Sequence, residues 1–137
     1  MATFTSNSPL ETEKIGREIA AQLRPVCVDA LQGELGSGKT HFTKGLVAGL
    51  GSAAPVTSPT FTIIHEYPGG RWPIYHFDFF RLENEESVLQ LGVDEYFYGE
   101  GISVVEWADR FPRLVPPDAK WVTFRLQSEN EREISTK

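Results

Sequence analysis

The chain has 137 residues, of which 40% are hydrophobic and 23% charged, and its formal net charge is −6. That size suits one domain over residues 1–137 with a real core, and the composition excludes a disordered tail, a collagen-like fibre and a disulfide scaffold. The acidic balance argues against a protein that grips nucleic acid by itself, because neutralising phosphates needs a basic surface.

Residues 1–14 carry no basic n-region and no apolar h-region, so no secretory signal is expected. Ser8-Pro9-Leu10-Glu11 predicts a helix start, with Ser8 as cap, Pro9 at the first helical position and Glu11 completing a capping box. Ile15, Ile19 and Leu23 then form one apolar stripe, and Pro25 ends the helix. Residues 26–31 predict a strand, interrupted by Asp29. Cys27 sits in that apolar run and reads as buried packing. As the only cysteine it forbids an intrachain disulfide and suits a reducing, cytoplasmic compartment.

A glycine-rich turn over 33–38 leads into a second helix from Lys39, with Phe42, Leu46, Val47 and Leu50 on one face and Gly51 as its C-terminal stop. Residues 52–59 are loop by composition. Residues 61–67 and 72–80 predict two strands joined at Pro68-Gly69-Gly70, hence a hairpin. Residues 82–91 predict one short acidic helix ended by Gly92. Residues 102–106 form a short apolar strand running into Trp107, and Pro112, Pro116 and Pro117 mark a loop. Residues 120–127 alternate as a half-exposed strand, and 132–135 suggest one more. No stretch approaches the roughly 18 apolar residues a membrane span needs. Interleaved strands and helices predict a three-layer α/β domain with a mainly parallel sheet and antiparallel additions.

The motif Gly33-Glu34-Leu35-Gly36-Ser37-Gly38-Lys39-Thr40 fits the P-loop pattern at every fixed position, between a predicted strand and a predicted helix. Its glycines let successive N–H groups turn inward on phosphate oxygens, and the helix presents its positive end to the same anion. Lys39 would reach the β- and γ-phosphates, and the Thr40 hydroxyl would ligate Mg²⁺. A tight glycine turn would show the same spacing without the chemistry.

Such a site needs a further carboxylate at the end of an apolar strand. Glu106 ends Ile102-Ser103-Val104-Val105, and Asp78 ends Ile74-Tyr75-His76-Phe77; spacing leaves both open. Thr57-Ser58-Pro59-Thr60 offers hydroxyls that could orient water or sense a γ-phosphate, or serve as ordinary turn chemistry. Arg81 could neutralise phosphate or pair with the acidic run at 83–86. His65 and His76 read as structural histidines in strands. His41 follows Thr40 on the helix, within reach of a nucleotide. The aromatic group Tyr96, Phe97, Tyr98 and Trp107 reads mostly as core, with Trp107 placed to report on the site.

Together, Gly33 to Thr40, Ser58-Pro59-Thr60-Phe61-Thr62, Tyr75-His76-Phe77-Asp78-Phe79-Phe80-Arg81-Leu82, Leu91-Gly92-Val93-Asp94-Glu95-Tyr96-Phe97 and Val105-Glu106-Trp107 resemble the TsaE (formerly YjeE) family. The resemblance covers nearly the whole chain, from about Ser8 to Arg132. It implies a P-loop NTPase-type domain that binds ATP and hydrolyses it slowly alone, with Mg²⁺. It also implies TsaD and TsaB as partners, whose complex transfers threonylcarbamoyl to the adenosine beside the anticodon of tRNA. The ATPase would reset that complex, without doing the transfer, and tRNA would be met only through the partners.

By position, Gly36, Ser37, Gly38, Lys39 and Thr40 would hold phosphates, together with Gly33 at the motif's start. Thr40 and Glu106 would hold Mg²⁺, and Asp78, also within the metal's reach, would be the acid needed for hydrolysis. Ser58 and Thr60 would form a switch-like segment, and Arg132 would lie near the nucleotide. Glu34, Ser37, His41 and Phe79-Phe80 depart mildly from the family pattern, and the early end after Arg132 puts the last strand's completeness in question. The competing expectation is a subunit whose ATP binding, without hydrolysis, gates assembly. A small-molecule kinase fits worse, because no arginine-rich lid is visible. No Asn-Lys-x-Asp element for guanine occurs, which favours ATP, and no arginine finger within the chain implies slow turnover alone.

Overall fold

The computed structural model describes residues 2–137. Ser8 caps the first helix, α1 (Pro9–Ala20), accepting from the Glu11 N–H at 3.1 Å, and Pro9 occupies its first turn. The strand before the glycine turn, β2 (Cys27–Gly33), is buried along nearly its whole length, as a central parallel strand must be. Helix α2 (Lys39–Gly49) starts where the turn ends, and Gly51 follows it in the left-handed conformation.

Strands β3 (Ile64–Tyr67) and β4 (Ile74–Asp78) form the expected hairpin, with Ile64 opposite Phe77. Both are shorter than expected. The Ile63 N–H turns back to the Pro59 carbonyl at 2.6 Å, and Ile63 itself takes φ of 73°, so residues 61–63 belong to a turn. The acidic helix, α3 (Glu85–Leu89), is shorter than expected because Asn84 caps it; it stops before Gly92 at φ of 71°, as expected, and a further helix not anticipated from sequence, α4 (Val93–Phe97), follows that glycine. Strand β5 (Ile102–Glu106) is wholly buried, and β6 (Lys120–Leu126) alternates as expected. The last strand, β7 (Arg132–Thr136), pairs antiparallel with β6 on one side. On its other side lies β1 (Ala2–Ser6), which the sequence reading did not anticipate. A five-residue edge strand rich in Thr and Ser carries little apolar signal.

The seven strands form one sheet in the order β1-β7-β6-β2-β5-β4-β3. The middle four, β6, β2, β5 and β4, are parallel, and the outer three are antiparallel additions. One face packs on α1 and α2 through Ile15, Leu31, Phe42, Leu46 and Phe124. The other packs on α3, α4 and the turns after β5 through Val28, Phe77, Val88, Phe97 and Val105. The fold is thus the three-layer α/β P-loop architecture that the sequence predicts.

Two features of this frame have measurable consequences. Helices α1 and α2 touch backbone to backbone: a Cβ on Gly45 would lie 1.8 Å from the Glu13 carbonyl oxygen, and one on Gly16 would lie 2.2 Å from that of Phe42. Gly45→Ala should therefore cost roughly 1–3 kcal/mol of stability in urea unfolding; an unchanged midpoint would show that α1 slides freely. At the far end of β2, Asp29 is buried with Oδ1 unpartnered, and burial raises its carboxyl from 3.8 to about 7 against the pull of Lys120. An acid with a raised folded-state pKa binds its proton more tightly folded than unfolded, so stability falls as pH climbs from about 4 to about 7. Asp29→Asn should leave the midpoint unchanged at about pH 4 and raise stability at about pH 8 by at most ~4 kcal/mol. Equal stability of the two proteins at the higher pH would show that the carboxylate is neutralised in place.

Candidate functional site

Chain geometry at the end of β2 follows from three glycines. Gly33 has no room for a side chain, since a Cβ would sit 2.8 Å from the Phe124 Cβ. Gly36 and Gly38 take φ of 79° and 104°, values that other residues adopt only under strain. Gly38 is the N-cap of α2 and supplies no side-chain cap, so the first-turn N–H groups are left for an outside acceptor. They open on a cleft of about 280 Å³.

Two carboxylates face this turn because of strand register. Asp78 pairs with Glu106 across the parallel β4–β5 ladder, and Glu106 pairs with Leu31 on β2. Both acids are nearly fully buried. The Thr40 hydroxyl lies 3.3 Å from each Glu106 carboxylate oxygen. Asp78 accepts from the Thr60 hydroxyl at 3.0 Å and from the Phe80 N–H at 2.8 Å. Burial pushes the Asp78 carboxyl above its usual range, and those two hydrogen bonds hold it down. Ser58 and Thr60 share a 2.7 Å hydrogen bond, so the loop before β3 is tied to Asp78 through hydroxyls.

Lys39 is 5% exposed. Its ammonium donates to the Gly33 carbonyl and, at 3.1 Å, to that of Glu34. It also lies 3.9 Å from the centre of the Trp107 ring, a cation–π contact. Trp107 holds that ring from a left-handed backbone at φ of 58°, a strained position for a non-glycine residue. Burial lowers the Lys39 ammonium below its ordinary value, with Glu106 chief among the acids opposing that shift.

The structure brings nearly all the sequence candidates to one place. Gly36, Ser37, Gly38, Lys39, Thr40, His41, Ser58, Thr60, Asp78, Glu106 and Arg132 all line the cleft. Arg132 reaches it from β7 and donates to the Gly36 carbonyl at 3.0 Å. His41 meets Glu13 of α1 at 3.4 Å. Gly33 does not line the cleft; it packs on Phe124 and offers its carbonyl to Lys39. Arg81 takes neither role open to it from sequence, and its guanidinium instead lies 4.9 Å from the centre of the exposed Phe61 ring.

Three contributions escaped sequence reasoning. Pro9 and Thr12 of α1 line the cleft, because α1 packs beside α2 and ends its first turn there. Trp107 lines the cleft, in keeping with its reading as a reporter on the site, but its contact with Lys39 was not foreseen. His76, expected to be structural, is indeed fully buried, yet its Nε2 lies 2.5 Å from Glu106 Oε2. The alternation of β4 was the available signal, since His76 and Asp78 share a face two residues apart.

With that geometry in place, comparison with known proteins is direct. The family model described as threonylcarbamoyl adenosine biosynthesis protein TsaE matches residues 6–134. A Bacillus subtilis tRNA threonylcarbamoyladenosine biosynthesis protein TsaE is 44% identical over 128 residues, covering 93% of this chain and 80% of the relative. Its namesake from Treponema pallidum is 38% identical over 130 residues, covering 95% and 96%. A crystal structure of Bacillus subtilis YdiB superposes with a TM-score of 0.85 at 38% identity, covering 98% of this chain and 83% of that one. A match that runs from the last residue of β1 into β7, through every segment lining the cleft, places this chain in the TsaE family of tRNA threonylcarbamoyladenosine biosynthesis proteins.

Proposed function

We propose that this chain is the Mg²⁺-dependent ATPase subunit of tRNA N6-threonylcarbamoyladenosine formation, slow alone, acting with TsaD and TsaB and resetting their complex between turnovers. The observation that carries the reading is the Thr40 hydroxyl 3.3 Å from both Glu106 oxygens, with Asp78 beside Glu106 in register. Hydroxyl and carboxylate oxygens are the hard donors Mg²⁺ takes, and it commonly uses one or two protein carboxylates with substrate phosphates completing the set. Among the described residues no cluster of three or more His, Cys, Asp or Glu side chains is placed to hold a metal. That fits a metal carried in with the nucleotide. Thr40 and Glu106, with Asp78 alongside, would hold Mg²⁺ there, where the ion would supply charge neutralisation to the nucleotide phosphates.

The chain's own groups would do the rest. The uncapped first turn of α2 would donate to phosphate oxygens. Lys39 would exchange the Gly33 and Glu34 carbonyls for phosphate, a stronger acceptor. Asp78, already bonded to Thr60, stands where a carboxylate could orient an attacking water, and Ser58 and Thr60 would hold that loop closed on it. Arg132, on the Gly36 carbonyl, and His41, at the cleft edge, would contact the nucleotide outside its reacting phosphate. Arg132 is the one arginine lining the cleft among the described residues, which supports slow turnover without a partner.

Exposed apolar residues flank the site. Leu35 at the tip of the P-loop is 79% exposed and Phe61, beside Thr60, is 84% exposed. Apolar side chains left in water next to a nucleotide cleft suit a protein partner that reads the nucleotide state. The net charge of −6 supports partners, rather than this chain, holding the tRNA. No helix among the described residues is long and apolar enough to cross a membrane, and the buried free thiol of Cys27 suits the reducing cytoplasm.

The test is phosphate release from Mg·ATP by the chain alone and with TsaD and TsaB. Slow release alone, faster with partners and absent in Lys39→Ala, is the expected pattern. Asp78→Asn should lower turnover roughly 100-fold or more while nucleotide binding survives. Release that persists in Lys39→Ala would sink the ATPase reading. Tight ATP binding with no release in either setting would instead favour a nucleotide-gated assembly subunit.

A further inference from the structure

Within the cleft, Glu106 has a second set of neighbours behind it. His76 lies in the middle of β4 with no exposed surface. It pairs with Val104 on β5, so Glu106 is its diagonal neighbour two residues further along the same face. Its Nε2 lies 2.5 Å from Glu106 Oε2, and its Nδ1 lies 2.9 Å from the Tyr67 hydroxyl. A carboxylate only accepts, so Nε2 carries a proton and donates to Glu106, while Nδ1 faces the Tyr67 hydroxyl, whose single proton serves either Nδ1 or the Thr57 carbonyl at one time. The Tyr67 oxygen is 3.2 Å from the Thr57 carbonyl oxygen, at the start of the loop that carries Ser58 and Thr60. A line of polar contacts therefore runs from Thr57 through Tyr67, His76 and Glu106 to Thr40, with the Tyr67 hydroxyl able to turn toward either neighbour.

We propose that His76, braced by Tyr67, is a positioning residue that aims Glu106 at the metal side of Thr40 and couples it to the Thr57–Thr60 loop. The proposal deepens the Mg²⁺-nucleotide reading of the cleft and rests on it. The physical ground is that a buried carboxylate needs its orientation fixed from behind if its other lone pairs are to meet a cation. Apart from His76, Glu106 has only the Thr40 hydroxyl, at the longer distance of 3.3 Å. Partners behind a ligand set both its direction and its basicity, and their loss commonly costs ten- to a hundredfold in metal affinity, on the order of a ligand's own adjustment.

The experiment measures ADP affinity of the full chain with Mg²⁺ and with EDTA, alongside thermal melting. His76→Phe should leave the EDTA affinity unchanged and weaken the Mg²⁺-dependent part by roughly 10- to 100-fold. His76→Gln, whose amide N–H can stand where Nε2 stands, should restore most of it. Tyr67→Phe deletes only the brace and should shift it in the same sense by roughly 2- to 10-fold. This variant keeps the proposal testable if His76→Phe does not fold. Equal weakening with Mg²⁺ and EDTA in the folded variants would mark His76 as merely structural and overturn the proposal. Mg²⁺-dependent affinity unchanged from wild type in His76→Phe and Tyr67→Phe would overturn it as well. Wild-type ADP binding that ignores Mg²⁺ would overturn this proposal and the Mg²⁺ reading together, a failure recognisable before any substitution is made.

Discussion

Parallel pairing among β2, β5 and β4 sets the position of every acidic group in the cleft. Glu106 is in register with Leu31 on one side and Asp78 on the other, so both acids emerge at the carboxyl ends of their strands. The P-loop leaves the carboxyl end of β2 at the same edge. Open α/β sheets bind ligands there because strand ends and helix starts converge on one crevice. Had β4 run antiparallel to β5, Asp78 would stand at the opposite edge and the two acids could not meet. The chain pays for this edge in strained backbone, with Ile63 and Trp107 both held in the left-handed region beside the acids. Ile63 accepts the Asp78 N–H through its carbonyl, and Trp107 covers Lys39 with its ring.

That edge concentrates charge where little water reaches. Lys39, Asp78 and Glu106 are each at most 5% exposed. Desolvation drives Lys39 and Asp78 toward their neutral forms, while their neighbours drive them back. Short-range partners fix where each group points: carbonyls for Lys39, a hydroxyl and an N–H for Asp78, an imidazole for Glu106. Each of these groups is thus oriented before any ligand arrives, the condition under which electrostatics contributes most to a site. Asp29, at the opposite end of β2, shows the contrast, for its buried carboxyl has an unpartnered oxygen and burial alone dominates its shift.

Much of the fold was legible in the residues, for identifiable reasons. Ser8, Pro9 and Glu11 marked the start of α1, because capping is a local hydrogen bond between residues three apart. The apolar run of β5 and the alternation of β6 were read to within a residue, because burial on two faces or one writes directly into composition. Strand ends at 61–63, 72–73 and 79–80 were misread: residues 61–63 form a turn, Phe79 packs into the core, and Phe80 lies against Trp107, so their aromatic and β-branched character serves packing rather than a ladder. Gly92 was read as a helix stop, but α4 beyond it was missed, because five residues carry too little periodicity and their apolar Val93 and Phe97 gain a face only by packing on the sheet. Strand β1 was invisible because its stability comes from pairing with β7, far away in the chain.

For the site, the division is similar. Sequence by itself determined the glycine turn at the head of α2, because it depends on consecutive residues: glycines that allow the backbone angles, a lysine and a threonine at the helix start. It also nominated Asp78 and Glu106, because strand ends are local signals. Only the tertiary structure decided that these acids stand side by side, that Arg132 and Thr12 join from the last strand and the first helix, and that His76 and Tyr67 stand behind Glu106. Those relations are set by register and packing between segments up to a hundred residues apart, on the order of the whole chain. Spacing along one segment cannot encode a distance across several.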